Sequence, residues 1–294
     1  MEYREQALEI RRNEPGEDKA ETADTYNEIG LKFARLGQYE KGLGAFEKAL
    51  DVYKTVYGEE HQSTAYCYGN IGICYILSGM YEKGISSLIR ALIIGKKLFG
   101  EEHESAATWL CDIGNAYASM GQYEKSLSFS EKALRISQKL YGEEHESVAA
   151  CLNDIGYAYI GLGLFEEGLS RSEKALKICL KVSGEEHKNA VFSYYNMGTA
   201  YLAMGEPGKS RLCLEKALEI GGRVLGDHDP TLVLANYQMS EVYFKKNKYE
   251  DAYRYAQKAY EIWKTNDAYK DLAARAESRM EECMRLSAQN EQVK

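Results

Sequence analysis

An all-α array of stacked helix pairs is the fold this sequence predicts, and three observations carry the prediction. The tetrapeptide Gly-Glu-Glu-His begins at Gly58, Gly100, Gly142 and Gly184, always 42 residues apart, and Gly16 and Gly226 extend the same phase to both sides. Inside each period, apolar residues recur twice at the spacing of one helical face, with a glycine between the two runs. No stretch of any length alternates with period two, so strands are not expected.

The unit 100–141 shows how each element is justified. After the tetrapeptide, Ala106, Ala107, Leu110, Ile113, Gly114 and Tyr117 form one apolar face, a first helix (A). Gly121 breaks the run, as a residue that adopts positive φ at low cost does at a helix C-terminus. Tyr123, Leu127, Ala133, Leu134 and Ile136 form a second stripe, helix B, about 20 residues or roughly 30 Å long. In order along the chain, 1–15 reads as the second half of a helix B, because Ala7 lies 42 residues before Ala49. Six repeats follow at 16–57, 58–99, 100–141, 142–183, 184–225 and 226–267, and 268–294 reads as a capping helix rich in Arg, Glu and Lys from about Ala268 to Gln289. A start inside a repeat suggests a piece of a longer protein, or a partner over the first helix.

Recurring positions describe the packing. Gly30, Gly72, Gly114, Gly156 and Gly198 sit mid-helix in A, with Ser240 in the sixth unit, at about 0.5–1 kcal/mol each against alanine. Such a penalty, accepted in phase, predicts close helix approach, with Ala49, Ala91, Ala133, Ala175, Ala217 and Ala259 opposite in helix B. Aromatics three residues after each glycine (Phe33, Tyr75, Tyr117, Tyr159, Tyr201, Tyr243) read as core fillers. Pro207 takes a first-turn position in its helix B, where proline is tolerated.

Leu152-Asn153-Asp154-Ile155-Gly156, then Tyr159, Gly163-Leu164-Phe165-Glu166 and Lys174-Ala175-Leu176, resembles the tetratricopeptide repeat, and the 42-residue period with its Gly-Glu-Glu-His lead is most similar to the lengthened repeats of kinesin light chains. The resemblance covers nearly the whole chain. It implies a right-handed superhelical solenoid of antiparallel helix pairs, with helices A lining a concave groove. It also marks Gly42, Gly84 and Gly168 as departures, where alanine is usual in helix B, which implies looser helices there. Pairing with motor heavy chains is not implied, since no heptad segment is present.

The remaining residues bound the function. The chain has 294 residues, 45% hydrophobic and 28% charged, as ordered soluble proteins do. A net charge of −8 argues against a nucleic acid as partner. Seven cysteines, odd in number and without a CxxC pair, read as core residues in a reducing, cytoplasmic setting, not as disulfides or a metal site. The uncharged stretch Gln62 to Tyr81 keeps the register of its charged sisters and so reads as a buried solenoid helix, not a membrane span. The in-phase histidines 61, 103, 145 and 187 and their preceding glutamate pairs lie one repeat apart, too far to share a metal ion. They read as loop residues with the acidic pair before the positive end of helix A. No phosphate loop, HExxH or GxSxG is present, so neither cofactor nor catalysis is expected.

The resemblance therefore implies a non-catalytic module binding a peptide or partner protein in the groove. The alternative is a sensor or oligomerisation region of a larger signalling protein. By resemblance the groove positions include Asn27, Glu28, Asn70, Asp112, Asn115, Asn153, Tyr157, Tyr195, Asn196, Tyr237, Glu241 and Phe244. Asparagines can hold a peptide backbone and tyrosines supply contact area. The main site is expected between Asn153 and Phe244, with Asn70 and Asn115 as further contacts. Only Arg35 and Lys245 are basic there, so a ligand with apolar anchors and neutral or basic flanks is expected, not an acidic tail.

Overall fold

The structure is a computed structural model that describes residues 18–226, 229–264 and 269–292. The expected helix in residues 1–15 lies outside them. Thirteen helices and no strand occur among the described residues. The chain forms two compact units, 1–140 and 141–294.

Unit 1 contains α1 (Asp18–Arg35), α2 (Tyr39–Tyr57), α3 (Gln62–Leu77), α4 (Tyr81–Phe99), α5 (Glu104–Ser119) and nearly all of α6 (Tyr123–Tyr141). Unit 2 contains α7 (Glu146–Gly161), α8 (Phe165–Val182), α9 (Lys188–Ala203), α10 (Pro207–Val224), α11 (Pro230–Lys245), α12 (Tyr249–Trp263) and α13 (Lys270–Gln292). Odd-numbered helices are the A helices. In each unit an A helix packs on its own B helix, each B helix on the following A helix, and successive A helices touch. Among the described residues no helix is long and apolar enough to cross a membrane.

Helix ends reveal a half-period that the 42-residue reading leaves out. Positive φ, between 71° and 87°, occurs at Gly37, Gly58, Gly79, Gly100 and onward to Gly226 in steps of 21 residues. Asn247, at φ 57°, continues the series where no glycine is present. These residues stop A and B helices alike, since a positive φ is open to glycine and, less easily, to asparagine.

Three packing expectations need correction. A Cβ on Gly30, Gly72, Gly114, Gly156 or Gly198 would first meet Phe46, Leu88, Ser130, Ser172 or Leu214, not the alanine one turn further on. Side chains lean toward the helix N-terminus, so the contact falls one turn before the alanine. The alanines are fully buried all the same. Gly84 and Gly168 do not loosen their helices. A Cβ on either would lie 2.8 Å from the carbonyl oxygen of Gly72 or Gly156, so two glycines bring backbone against backbone there. Of the six aromatics expected in the core only Phe33 is buried. Tyr75, Tyr117 and Tyr201 are half-buried, and Lys83, Lys125 and Lys209 lie over their rings at 5.7, 5.2 and 5.2 Å.

Candidate functional site: the faces of the A helices

The Gly-Glu-Glu-His loops have a structural task that the sequence left half unread. Each histidine is the N-cap of an A helix. Backbone N–H groups of Ser63, Ala106, Ser147 and Asn189 donate to Nδ1 of His61, His103, His145 and His187 at 3.2–3.3 Å. Asp229 caps α11 the same way, accepting from Thr231 N–H at 2.9 Å. Tyr57 and Tyr141 stack on His61 and His145 at 4.1 and 4.2 Å and hold the rings in place.

The acidic pairs do not simply face the helix dipole. Glu60, Glu102 and Glu144 pair with Lys97, Lys139 and Lys181, and Glu186 with Arg223 at 3.2 Å, each 37 residues later on a B helix. Glu143 and Glu185 pair with Lys174 and Lys216. Each unit thus carries exposed ion pairs between these loops and its B helices, each worth under about 1 kcal/mol.

Between A helices runs a polar ladder with a step of 43 residues. Asn70 Nδ2 donates to Asn27 Oδ1 at 2.9 Å, Asn196 Nδ2 to the Asn153 carbonyl at 2.9 Å, and Gln238 Nε2 to the Tyr195 hydroxyl at 3.2 Å. Asn189 Nδ2 donates to the Glu146 carbonyl at 3.1 Å and Lys245 Nζ to the Leu202 carbonyl at 3.4 Å. The step is one period plus one residue, so α3 is pinned to α1, α9 to α7 and α11 to α9 one position out of phase.

This ladder takes up several of the predicted contact residues. Asn153 and Asn196 are each 3% exposed, and Asn153 also donates to the Asn189 carbonyl and accepts from Ser193. Tyr195 is 6% exposed, with its hydroxyl in the ladder. Tyr237 packs on Trp263 at 5.6 Å in a cluster with Ala273 and Ala276 of α13. Phe244 lies under the Arg279 guanidinium, 3.9 Å from its ring centre, and Arg279 also pairs with Glu241 at 2.6 Å. Tyr157, Asn70 and Asn115 stay accessible, Asn115 most of all. Thr199 and Gln238, bonded to each other at 2.9 Å, are half-open in unit 2.

Four buried polar side-chain atoms among the described residues have no hydrogen-bond partner: His103 Nε2, Asp112 Oδ2, Ser126 Oγ and Ser130 Oγ. All fall in repeat 100–141. Burial pushes the Asp112 carboxyl up to about 7 and holds His103 below its ordinary value. All seven cysteines are free, and burial raises the thiols of Cys67, Cys179 and Cys213 to about 12, 11 and 11. Among the described residues no three His, Cys, Asp or Glu side chains are placed to hold a metal ion.

With this geometry in hand, comparison with known proteins is decisive for the family. A model of the tetratricopeptide repeat matches residues 32–83, 70–129, 106–167 and 153–223. The chain belongs to the tetratricopeptide-repeat family. Among solved structures it is similar to the nearly identical repeats of a putative kinesin light chain from Podosopora anserina, with 21% identity over 71% of this chain and 98% of that one, and a TM-score of 0.59. It is also similar to BtubC (BKLC) from P. vanneervenii, with 19% identity over 76% and 88% and a TM-score of 0.61. NprR in complex with its cognate peptide NprX matches at 19% identity over 93% of this chain and 75% of that one, with a TM-score of 0.65. At these identities the likeness shows the repeat fold alone. No curated protein sequence matches the chain.

Proposed function

We propose that this tetratricopeptide array is a non-catalytic interaction module that holds an extended peptide, or an extended segment of a partner protein, along the faces of its A helices. One observation carries the reading: within each unit the A helices present accessible polar and aromatic groups at two in-phase positions, one held by Asn70 and Gln238 and the other by Asn115, Tyr157 and Thr199. Regular spacing of such groups suits a strand-like ligand, whose own amides recur regularly. The complex of NprR with NprX, in the same fold, supports a peptide as the ligand class.

The polar chemistry of the chain supports a binding role over a catalytic one. The capping histidines use Nδ1 to hold helix ends, and the raised thiols are poor nucleophiles. Lys245 Nζ donates to the Leu202 carbonyl at 3.4 Å and Arg279 pairs with Glu241, so both cations have partners within the chain. The ligand is therefore assigned apolar anchors with neutral or basic flanks. In this reading Asn153 and Asn196 shape the face from beneath, and Tyr157 is the main aromatic contact. Selection of random peptides on the purified protein tests it. Enriched peptides should bind at least tenfold more weakly, about 1.4 kcal/mol, to Tyr157→Ala. No enrichment above background, or enriched peptides indifferent to Tyr157→Ala and Asn115→Ala, would contradict it.

A further inference from the structure

Packing leaves one group on the A-helix face of unit 1 unexplained. Asp112 Oδ2 is buried without a partner, yet the residue as a whole is partly open. Its register in the array shows what is missing. Asn70, Asn196 and Gln238 stand at the same position of their repeats, and each donates a side-chain amide to the residue 43 positions earlier. Asp154 shares the register and has partners of its own. For Asp112 the residue 43 positions earlier is Gly69, which has no side chain to offer an acceptor. An ionised carboxylate has no proton to donate, so Asp112 cannot make the bond that Asn70, Asn196 and Gln238 make.

Among the described residues no charged group contributes to the shift of this carboxyl. One period earlier, α3 carries Gly69, Asn70 and Ile73, and one turn away on α5 stand Thr108, Trp109, Asn115 and Ala116. Burial is the whole cause of the upward shift of this carboxyl. An isolated buried carboxylate is costly, and a hydrogen-bonded cation is what stabilises one.

We propose that Asp112 anchors a cationic group of the ligand, a guanidinium or primary ammonium of a peptide laid along α3 and α5, with Asn70 and Asn115 beside it. The proposal rests on the A-helix face being the binding surface, and it adds the chemistry recognised there. The proton balance is explicit. At neutral pH part of the free protein carries Asp112 as the acid; cation binding leaves the carboxylate paired and releases that proton to solvent. Binding is therefore tighter at pH 8 than at pH 6.

The test is a titration of the wild-type protein carrying 13C at the aspartate carboxyls, with the Asp112 signal assigned by its absence in Asp112→Asn. Three probes are added: an N-acetylated Ala-Arg-Ala amide, the same peptide with citrulline for arginine, and an Ala-Ala-Ala amide with a free α-amine. The expected result is a saturable fall of the Asp112 midpoint by at least one pH unit with the arginine peptide, and none with citrulline. A fall with the α-amine peptide alone would assign the site to a chain terminus. Asp112→Asn should melt at or above the wild-type temperature, since an amide restores the ladder donor, while binding the cationic probe at least tenfold more weakly. A midpoint unmoved by either cation at 50 mM, or moved equally by citrulline, overturns the proposal. Should selected peptides bind wild type and Asp112→Asn alike, this inference fails and the binding face stands; should no peptide bind either protein, the face itself is wrong.

Discussion

Four positions of repeat 100–141 in unit 1 have counterparts in unit 2 that end differently. Ser126 Oγ has no partner, whereas Ser210 donates to the Gly198 carbonyl at 2.8 Å. Ser130 Oγ is likewise alone, while Ser172 donates to the Gly168 carbonyl at 3.0 Å. Asp112 leaves an oxygen unpaired where Asn196 and Gln238 complete the ladder. His103 Nε2 is orphaned, and His187 Nε2 lies 3.7 Å from Glu146. The backbone register is common to all of these, so it is not what separates a settled repeat from a frustrated one. A single polar atom decides at each site. Native proteins keep most buried polar groups satisfied, and among the described residues the four exceptions gather in this one repeat.

The largest effect is expected where the two units agree. Gly84→Ala and Gly168→Ala each push a Cβ to 2.6 Å from an isoleucine side chain and 2.8 Å from a carbonyl oxygen. Each should lose about 1–3 kcal/mol in denaturant unfolding, since neither helix can retreat without opening its neighbours. Gly44→Ala, with nothing within 4 Å, should instead gain about 0.5–1 kcal/mol. Equal losses at all three glycines would break the close-approach account.

Next come the ladder positions, where the units should respond with opposite signs. Asn196→Ala removes a buried donor and leaves the Asn153 carbonyl short of a partner, a loss of about 1–3 kcal/mol. Asp112→Asn should be stabilising, and by an amount that depends on pH. The folded carboxyl is raised to about 7 from an ordinary value near 4. The folded state thus binds more protons than the unfolded one between those values, and wild-type stability falls as pH rises through that window. The advantage of Asp112→Asn should grow from about pH 4 to pH 7 and be constant above. Unfolding at a series of pH values on both proteins checks the sign.

His103 should move the other way. Its value is depressed by burial, so the neutral ring that caps α5 is fully present above the ordinary histidine value near 6.5. Acidification below that value favours the unfolded state. Asp, the residue that caps α11, makes the control: His103→Asp should remove this acid loss between pH 7 and pH 5. The smallest contrast lies in the hydroxyls. Ser126→Ala should be neutral or gain a few tenths of a kcal/mol, while Ser210→Ala should cost about 1 kcal/mol.

Much of this architecture is legible in the sequence, because six in-phase copies report the same helix ends and the same buried stripe. Helix starts at Tyr39, Tyr81, Tyr123 and Phe165 follow from the aromatics, and stops follow from the glycines. The capping role of the histidines was hidden because imidazole is an uncommon cap and its acceptor nitrogen is visible only in geometry. The candidate site was legible to a lesser extent. A period of 42 places Asn153, Asn196 and Tyr195 on one face, but a hydrogen-bond step of 43 turns them toward the neighbouring helix. Tyr237 and Phe244 look exposed in a list of positions, and α13, seven residues longer than α11, lies over them. Asp112 was readable as a groove residue; that it lacks a donor to pair with emerges only once its neighbours are in place.

The account stands or falls on the A-helix face as the ligand surface. Peptides recovered by selection and fitted with a photoreactive diazirine can be crosslinked to the folded protein and the attachment points read by mass spectrometry. Attachment is predicted on the A helices, near Asn115 in α5 and near Tyr157, Leu202 and Gln238 in α7, α9 and α11. Attachment concentrated on the exposed B-helix residues instead, such as Ile93 and Leu212 at 54% and 57% exposure, would contradict it.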